Sequence, residues 1–261
     1  MTHKPRLLLI NDDGIHAPGL RHLFEALEGT ADVSIVAPAI EQSGVGVAIT
    51  LRSPLHIEEV AWDSKKTPAW KINGTPADCV RLAVSLLLGG PPDLIVSGIN
   101  QGSNAGRNVL YSGTIGGVIE GTLRGIPGIA FSCEDFDKPD FFAVQKHILP
   151  VVRHVLECPL PSGTLLSVNF PEIKGEIKGF KLARQGRGYW REAPEKRLHP
   201  QGMPYYWMGG KWIAYEEHPE SDVALLGQGY ATVVPIHVGE LTDYGLLEER
   251  KHLFEKLNTT I

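Results

Sequence analysis

Short apolar runs alternate with amphipathic stretches of helical spacing through the first two thirds of the chain. Residues 6–10, 33–37, 93–97, 128–133 and 165–170 read as strands, and 6–10 is a short continuous apolar run, as expected of a strand buried on both faces. Between them, Ala17-Pro18 opens a helix with Leu20, Leu23, Phe24 and Leu27 on one stripe. Thr75-Pro76-Ala77-Asp78 is a second helix start, with Thr75 as cap, and this helix is expected to run to about Leu88 before Gly89-Gly90. Residues 114–124 and 141–157 read as further helices. The first contains Gly116, Gly117 and Gly121, each costing roughly 1 kcal/mol against Ala, so its backbone is expected to pack very close to something. Residues 50–60 and 70–72 look like strands of an excursion, and 98–113 like a long polar loop.

After Pro171 the pattern changes. Residues 174–211 are rich in Gly, Pro, Arg and aromatics, with a weak strand at 177–183, and suggest a hairpin or arm. Residues 230–238 form a last strand. Leu246, Leu247, Leu253, Phe254 and Leu257 mark an amphipathic C-terminal helix that must dock on its own core or on a partner subunit. The β-α-β alternation predicts an α/β, Rossmann-like fold: a mostly parallel open sheet with helices on both faces. One domain is expected over 1–261, with an α/β core over 1–172 and an arm, last core strand and C-terminal helix over 173–261.

Composition narrows the function. The 261 residues are 43% apolar and 21% charged, an ordinary globular balance. Lys and Arg number 25 against 30 Asp and Glu, a net charge of −5, which argues against a nucleic-acid polymer as partner. Cys79, Cys133 and Cys158 have no C-x-x-C spacing and read as reduced thiols. No apolar run is long enough for a membrane span. Residues 7–10 are too short a run for a secretory leader, so a cytoplasmic location is expected.

Ligands of open α/β sheets bind at the carboxyl ends of the strands, and there the loops are polar. Asn11-Asp12-Asp13-Gly14 follows the first strand. Two adjacent carboxylates at the end of a buried strand repel and lose hydration, and a cation relieves both costs. The alternative is that one caps the following helix and the other is solvated. Ser43 and Asn100 add neutral oxygens from neighbouring loops, or are simply turn residues. An all-oxygen set favours a hard ion, Mg²⁺ or Mn²⁺. Ser112-Gly113-Thr114 opens a helix whose N-terminus suits a phosphate, unless Ser112 or Thr114 merely caps it. Glu134-Asp135-Phe136-Asp137 reads as a solvated acidic loop, and His16 needs no special role. No Walker P-loop, G-x-G-x-x-G after the first strand, G-x-S-x-G elbow or H-E-x-x-H is present.

These blocks resemble the SurE (survival protein E) nucleotidases. The resemblance rests on residues 8–19 (LLINDDGIHAPG), Gln42-Ser43-Gly44, Gly74-Thr75-Pro76-Ala77-Asp78-Cys79-Val80 and Ser97-Gly98-Ile99-Asn100, then on Gly102, Asn104, Gly106 and Tyr111-Ser112-Gly113-Thr114. Gly202-Met203-Pro204-Tyr205-Tyr206-Trp207 and Ser221-Asp222 look like the family's C-terminal arm, whereas 186–190 departs from it. The resemblance implies a metal-dependent phosphomonoesterase acting on nucleoside 5′- and 3′-monophosphates. Asp12, Asp13, Ser43 and Asn100 would hold one Mg²⁺ or Mn²⁺ per subunit. Asn104, Ser112, Gly113 and Thr114 would line the phosphate, with Asp12, Asp13, Asn100, Asn104 and Ser112 as the catalytic set. It also implies a homodimer or homotetramer that exchanges C-terminal segments. The competing readings are a broad acid phosphatase or exopolyphosphatase, and a catalytically silent nucleotide-binding module.

Overall fold

The computed structural model describes residues 4–63, 67–172 and 176–259; the expected start of the arm at 173 lies outside them. In chain order the elements are β1 Arg6–Ile10, α1 Pro18–Leu27, β2 Asp32–Pro38, β3 Ile57–Glu59, β4 Ala69–Ile72, α2 Pro76–Leu82, β5 Leu94–Gln101, α3 Gly113–Thr122 and β6 Gly128–Cys133. There follow α4 Phe141–Gln145, α5 Ile148–Glu157, β7 Thr164–Phe170, β8 Phe180–Leu182, β9 Tyr189–Glu192, β10 Glu195–Leu198, β11 Pro204–Trp207, β12 Gly210–Ile213, α6 Asp222–Gly227, β13 Ala231–His237 and α7 Tyr244–Glu255.

The main sheet has nine strands in the order β3-β4-β2-β1-β5-β6-β7-β13-β8. Its centre is parallel; β3 against β4 and β13 against β7 are antiparallel. Alternation along β1 divides the core. Leu7 and Leu9 face α1 and α5 with Leu20, Phe24 and Val152, and Leu8 and Ile10 face α2 and α3 with Val80 and Val118. Among the described residues, no helix is long and apolar enough to cross a membrane.

The three glycines of α3 explain themselves. A Cβ at Gly116 would fall well inside 3.0 Å of the Gly46 carbonyl oxygen, at Gly117 on Ile10 Cδ1, and at Gly121 on Ile95 Cδ1. The helix is therefore pressed onto β1, β5 and the loop that follows β2.

Several boundaries differ from expectation. The 50–60 stretch pairs only over Ile57–Glu59, because Pro54 interrupts it and Thr50 bonds Asp78 instead. The α2 helix closes at Leu82 and continues over Ala83–Leu87 as a wider π turn. The polar loop begins later than 98, since β5 runs to Gln101, and Gly106–Leu110 is a 3-10 turn. The single helix expected over 141–157 is two, broken at Lys146-His147. Pro150 cannot donate to the Lys146 carbonyl, so no continuous ladder can pass that point. The weak strand near 177–183 lies in the main sheet beside β13, and the arm itself is two nested antiparallel pairs, β9 with β12 and β10 with β11.

Thr75 and Asp78 form a capping box at α2: Asp78 N–H donates to the Thr75 hydroxyl (3.1 Å) and Thr75 N–H to the Asp78 carboxylate (3.0 Å). Burial alone would raise the Asp78 pKa, but the bonds from the Thr50 hydroxyl, Thr50 N–H and Thr75 outweigh it and hold the carboxyl below its ordinary value. A depressed carboxyl stabilises the fold above its unfolded pKa and loses that contribution as pH falls through the folded one. Asp78→Ala is therefore expected to cost about 1–2 kcal/mol near neutrality. In melting curves the gap from wild type should begin to narrow as pH falls below about 4, the ordinary carboxyl range, and go on narrowing as the folded carboxyl is protonated; a gap that does not change in acid would show that the ionised carboxylate is not what holds the cap.

Candidate active site

The chain leaves β1 toward β2 on one side and returns to β5 on the other, so β1 and β5 are neighbours at a topological switch point. A crevice opens at the carboxyl ends of two such strands. Asp12 and Asp13 follow β1 directly, and Gly14 turns the chain at φ +101°, a conformation that side chains rarely adopt. The turn is tied to the loop after β2 by Ile15 N–H to the Pro38 carbonyl (2.8 Å) and Gln42 N–H to the Asp12 carbonyl (2.7 Å). That brings Ser43 to the same rim. Asn100 reaches it from β5, where the pairing with β6 shifts register between Ser97 and Asn100, an irregularity of the kind that re-aims side chains next to sites.

Asp12 is buried, and the Thr114 hydroxyl donates to its Oδ1. The backbone N–H groups of Gly113 and Thr114 face the same carboxylate. Burial nevertheless pushes the Asp12 carboxyl up. Asp13 is pushed up to about 7, first by burial, then by the charge of Asp12, with Glu41 adding to the repulsion and the Gln101 N–H opposing it. Among the described residues no Lys, Arg or His forms a salt bridge with either aspartate. An uncompensated acidic pair at the bottom of a crevice fits a divalent cation. No group of three or more His, Cys, Asp or Glu that could hold an ion occurs among the described residues, so the remaining ligands here would be neutral oxygens. Asn100 Nδ2 donates to the Gly102 carbonyl (2.7 Å), which leaves its side-chain oxygen as the available ligand. Ser43 is exposed and donates its hydroxyl proton to Glu41 (2.7 Å), so its oxygen keeps lone pairs for a cation.

Asp12, Ser43, Asn100, Asn104 and Ser112 all line one cavity of about 700 Å³. Gly113 and Thr114 do not line it. Thr114 is fully buried behind Asp12, and a Cβ at Gly113 would lie 2.8 Å from the Asp12 Cβ. The anion at the N-terminus of α3 is thus the Asp12 carboxylate, where the sequence suggested a phosphate. Ser112 caps the helix, accepting from Ile115 N–H (3.2 Å). A second cavity, about 670 Å³, lies at the amino ends of β1 and β2 beside Arg6 and Asp32, on the opposite rim.

The surrounding polar network adds Ser132 and Asn169, which the sequence did not single out, and gives a contact role to Asp222, which stood out only as part of the arm. Asn104 donates to the Ser132 hydroxyl (2.8 Å) and, through its backbone, to Asn169 Oδ1 (2.9 Å). Asn169 interrupts the apolar strand β7, and that interruption was the readable signal. Asp222, fully buried at the start of α6, accepts from the N–H groups of Gly106 (3.0 Å), Gly186 (2.7 Å) and Val223 (2.8 Å) and from Gln185 Nε2 (2.9 Å). Burial raises its pKa and these bonds oppose the rise. One carboxylate therefore fastens the root of the arm to the loop that carries Asn104.

Comparison with known proteins gives the family. The family model "Survival protein SurE" matches residues 7–192. The chain belongs to the SurE family. It is 49% identical over 257 residues to the 5′-nucleotidase SurE of Protochlamydia amoebophila, covering 98% of each chain. It is 43% identical over 249 residues to the 5′-nucleotidase SurE of Christiangramia forsetii, covering 94% of this chain and 95% of that one. The crystal structure of the SurE protein from Aquifex aeolicus superposes with a TM-score of 0.81 at 38% identity, covering 95% of this chain and 99% of the other. The SurE match thus includes every rim residue discussed above and ends inside β9, short of Asp222.

Proposed function

We propose that this SurE chain is a 5′-nucleotidase, a phosphomonoesterase that releases phosphate from nucleoside 5′- and 3′-monophosphates. The observation that carries the reading is the uncompensated Asp12–Asp13 pair at the switch point, with Asp12 lining a cavity large enough for a nucleotide and Asp13 beside it, outside the lining. The full-length likeness to proteins named 5′-nucleotidase supports it. Asp12, Asp13, Ser43 and Asn100 would hold one Mg²⁺ or Mn²⁺, which supplies Lewis-acid stabilisation of charge on the phosphoryl oxygens. Asn104 and Ser112 line the phosphate, and Gly113 and Thr114 act by holding Asp12 in place. Hydrolysis joins a water oxygen to phosphorus, breaks the bond to the nucleoside oxygen, and moves a proton from water to that leaving oxygen. Asp12 and Asp13 are the carboxylates at hand to take the proton.

Oligomerisation through the C-terminal segments has its own support. Every described side chain of α7 is exposed, including Leu246, Leu247, Leu253 and Phe254, so among the described residues of one chain this helix buries its apolar side chains against nothing. A dimer or tetramer would cover it.

Phosphate release from 5′-AMP and 3′-AMP, measured after chelation and again with Mg²⁺ or Mn²⁺ restored, tests the reading. Turnover should vanish with chelator and return with metal. Release of phosphate from polyphosphate or p-nitrophenyl phosphate with none from nucleotides would favour a broad phosphatase, and nucleotide binding without turnover would favour a silent module.

A further inference from the structure

The arm carries two indole rings to the same cavity. Trp190 on β9 and Trp212 on β12 stand directly opposite each other across the hairpin, with ring centroids 6.0 Å apart at 70°. Both rings line the cavity, and both are seated on glycines. A Cβ at Gly188 would fall 2.5 Å from the Trp212 ring, and one at Gly210 would fall 3.3 Å from the Trp190 ring. The hairpin root is held to the loop carrying Asn104 by Arg107 N–H to the Gly188 carbonyl (2.8 Å) and Trp190 N–H to Asn108 Oδ1 (3.1 Å). Phe136, from the loop after β6, lines the cavity as well, its backbone carbonyl fixed by Gln101 Nε2 (2.6 Å).

Trp190 is 59% exposed and Trp212 37%. Large aromatic rings left open on the hairpin, in a cavity that also contains Asp12, Asn100 and Ser112, offer apolar ring faces, set at 70° to each other, within the same enclosure as the proposed phosphate chemistry. A nucleotide is the substrate class with that division: an anionic phosphate at one end and a flat π-face at the other.

We propose that Trp190 and Trp212 form the nucleobase platform of this chain and set its preference for nucleotides over sugar phosphates. The inference rests on the nucleotidase reading and deepens it. Stacking is sequence-tolerant, and the larger purine ring covers more of an indole than a pyrimidine does. The platform therefore favours AMP and GMP over CMP and UMP, and all four over ribose 5-phosphate.

The test compares Trp190→Leu, Trp212→Leu and the double variant with wild type on AMP and on ribose 5-phosphate, in metal-loaded protein of verified fold. Each single variant should raise KM for AMP about 10-fold, within the range typical of a lost base–aromatic stack, with kcat little changed. The kcat/KM for ribose 5-phosphate should not move, and Trp212→Phe should recover much of the loss. Adenosine, which has no phosphate, should quench tryptophan fluorescence in wild type and not in the double variant. An unchanged KM for AMP, a parallel fall on ribose 5-phosphate, or a changed oligomeric mass with unaltered KM would overturn the platform, the last assigning the indoles to a subunit contact. If wild type turns over no nucleotide the parent reading fails, and adenosine quenching still decides whether the indoles bind a base.

Discussion

Asp12→Asn should abolish nearly all phosphate release while leaving the fold intact. Asn keeps an oxygen to accept the Thr114 hydroxyl and the N–H groups of Gly113 and Thr114, so the turn after β1 retains its contacts. What is lost is one of the two charges proposed to hold the ion. Removing a single hydrogen-bond donor to a reacting oxygen typically costs about 10²–10³ in turnover; losing a charged ligand together with its grip on the ion is expected to cost at least about 10³. The melting temperature separates this from misfolding. In chelator the variant should melt no lower than wild type, because two buried like charges have become one. Added Mg²⁺ or Mn²⁺ should raise the wild-type melting temperature and leave the variant's where it was. Turnover near wild type at saturating metal would remove Asp12 from the chemistry.

Gly116→Ala is the largest stability effect expected. In an exposed helix this change stabilises by roughly 1 kcal/mol, because glycine is the poorer helix former. Here the sign reverses. The new methyl would overlap the backbone carbonyl of Gly46, which no side-chain rotation can relieve. Overpacking of this kind costs about 1–3 kcal/mol and more where backbone must move, so a loss of about 3 kcal/mol is expected in chemical denaturation. The loop displaced is the one that carries Ser43, and Gly46 N–H is bonded to the Tyr111 carbonyl (2.9 Å). Metal affinity should therefore fall along with stability. A variant as stable as wild type would mean that α3 can slide away from the loop at little cost.

The sequence was most readable where local rules and tertiary packing agree. The buried strands announced themselves as short, mostly apolar runs, and β1, β2, β5, β6 and β7 lie where those runs are. The crowding of α3 was legible because three glycines in one helix have no local justification. Less legible were features decided by a single distant contact. The break before α5 turns on Pro150, which is acceptable in a first helical turn and fatal one turn later, so spacing alone could not choose. Thr114 was a sound phosphate donor on sequence grounds, yet its hydroxyl is taken by a carboxylate 102 positions earlier in the chain. Asp222 stood out with Ser221 as part of the arm, but it sits 116 positions from Gly106 and nothing local shows that the two pair. The indole pair of β9 and β12 was visible as aromatic content, but its relation to the rim depends on how the arm is fastened.

That fastening has a consequence for how the chain matures on the ribosome. The four residues proposed to hold the ion, and the strands that present them, have all been made by the time Asn100 emerges. The carboxylate that locks the arm follows 122 residues later, at Asp222. A nascent chain cannot close the cavity until that residue has left the exit tunnel and reached the N–H groups of Gly106 and Gly186. The acidic rim is thus made well before the residues that complete the indole-bearing wall beside it, which gather only once α6 has been synthesised.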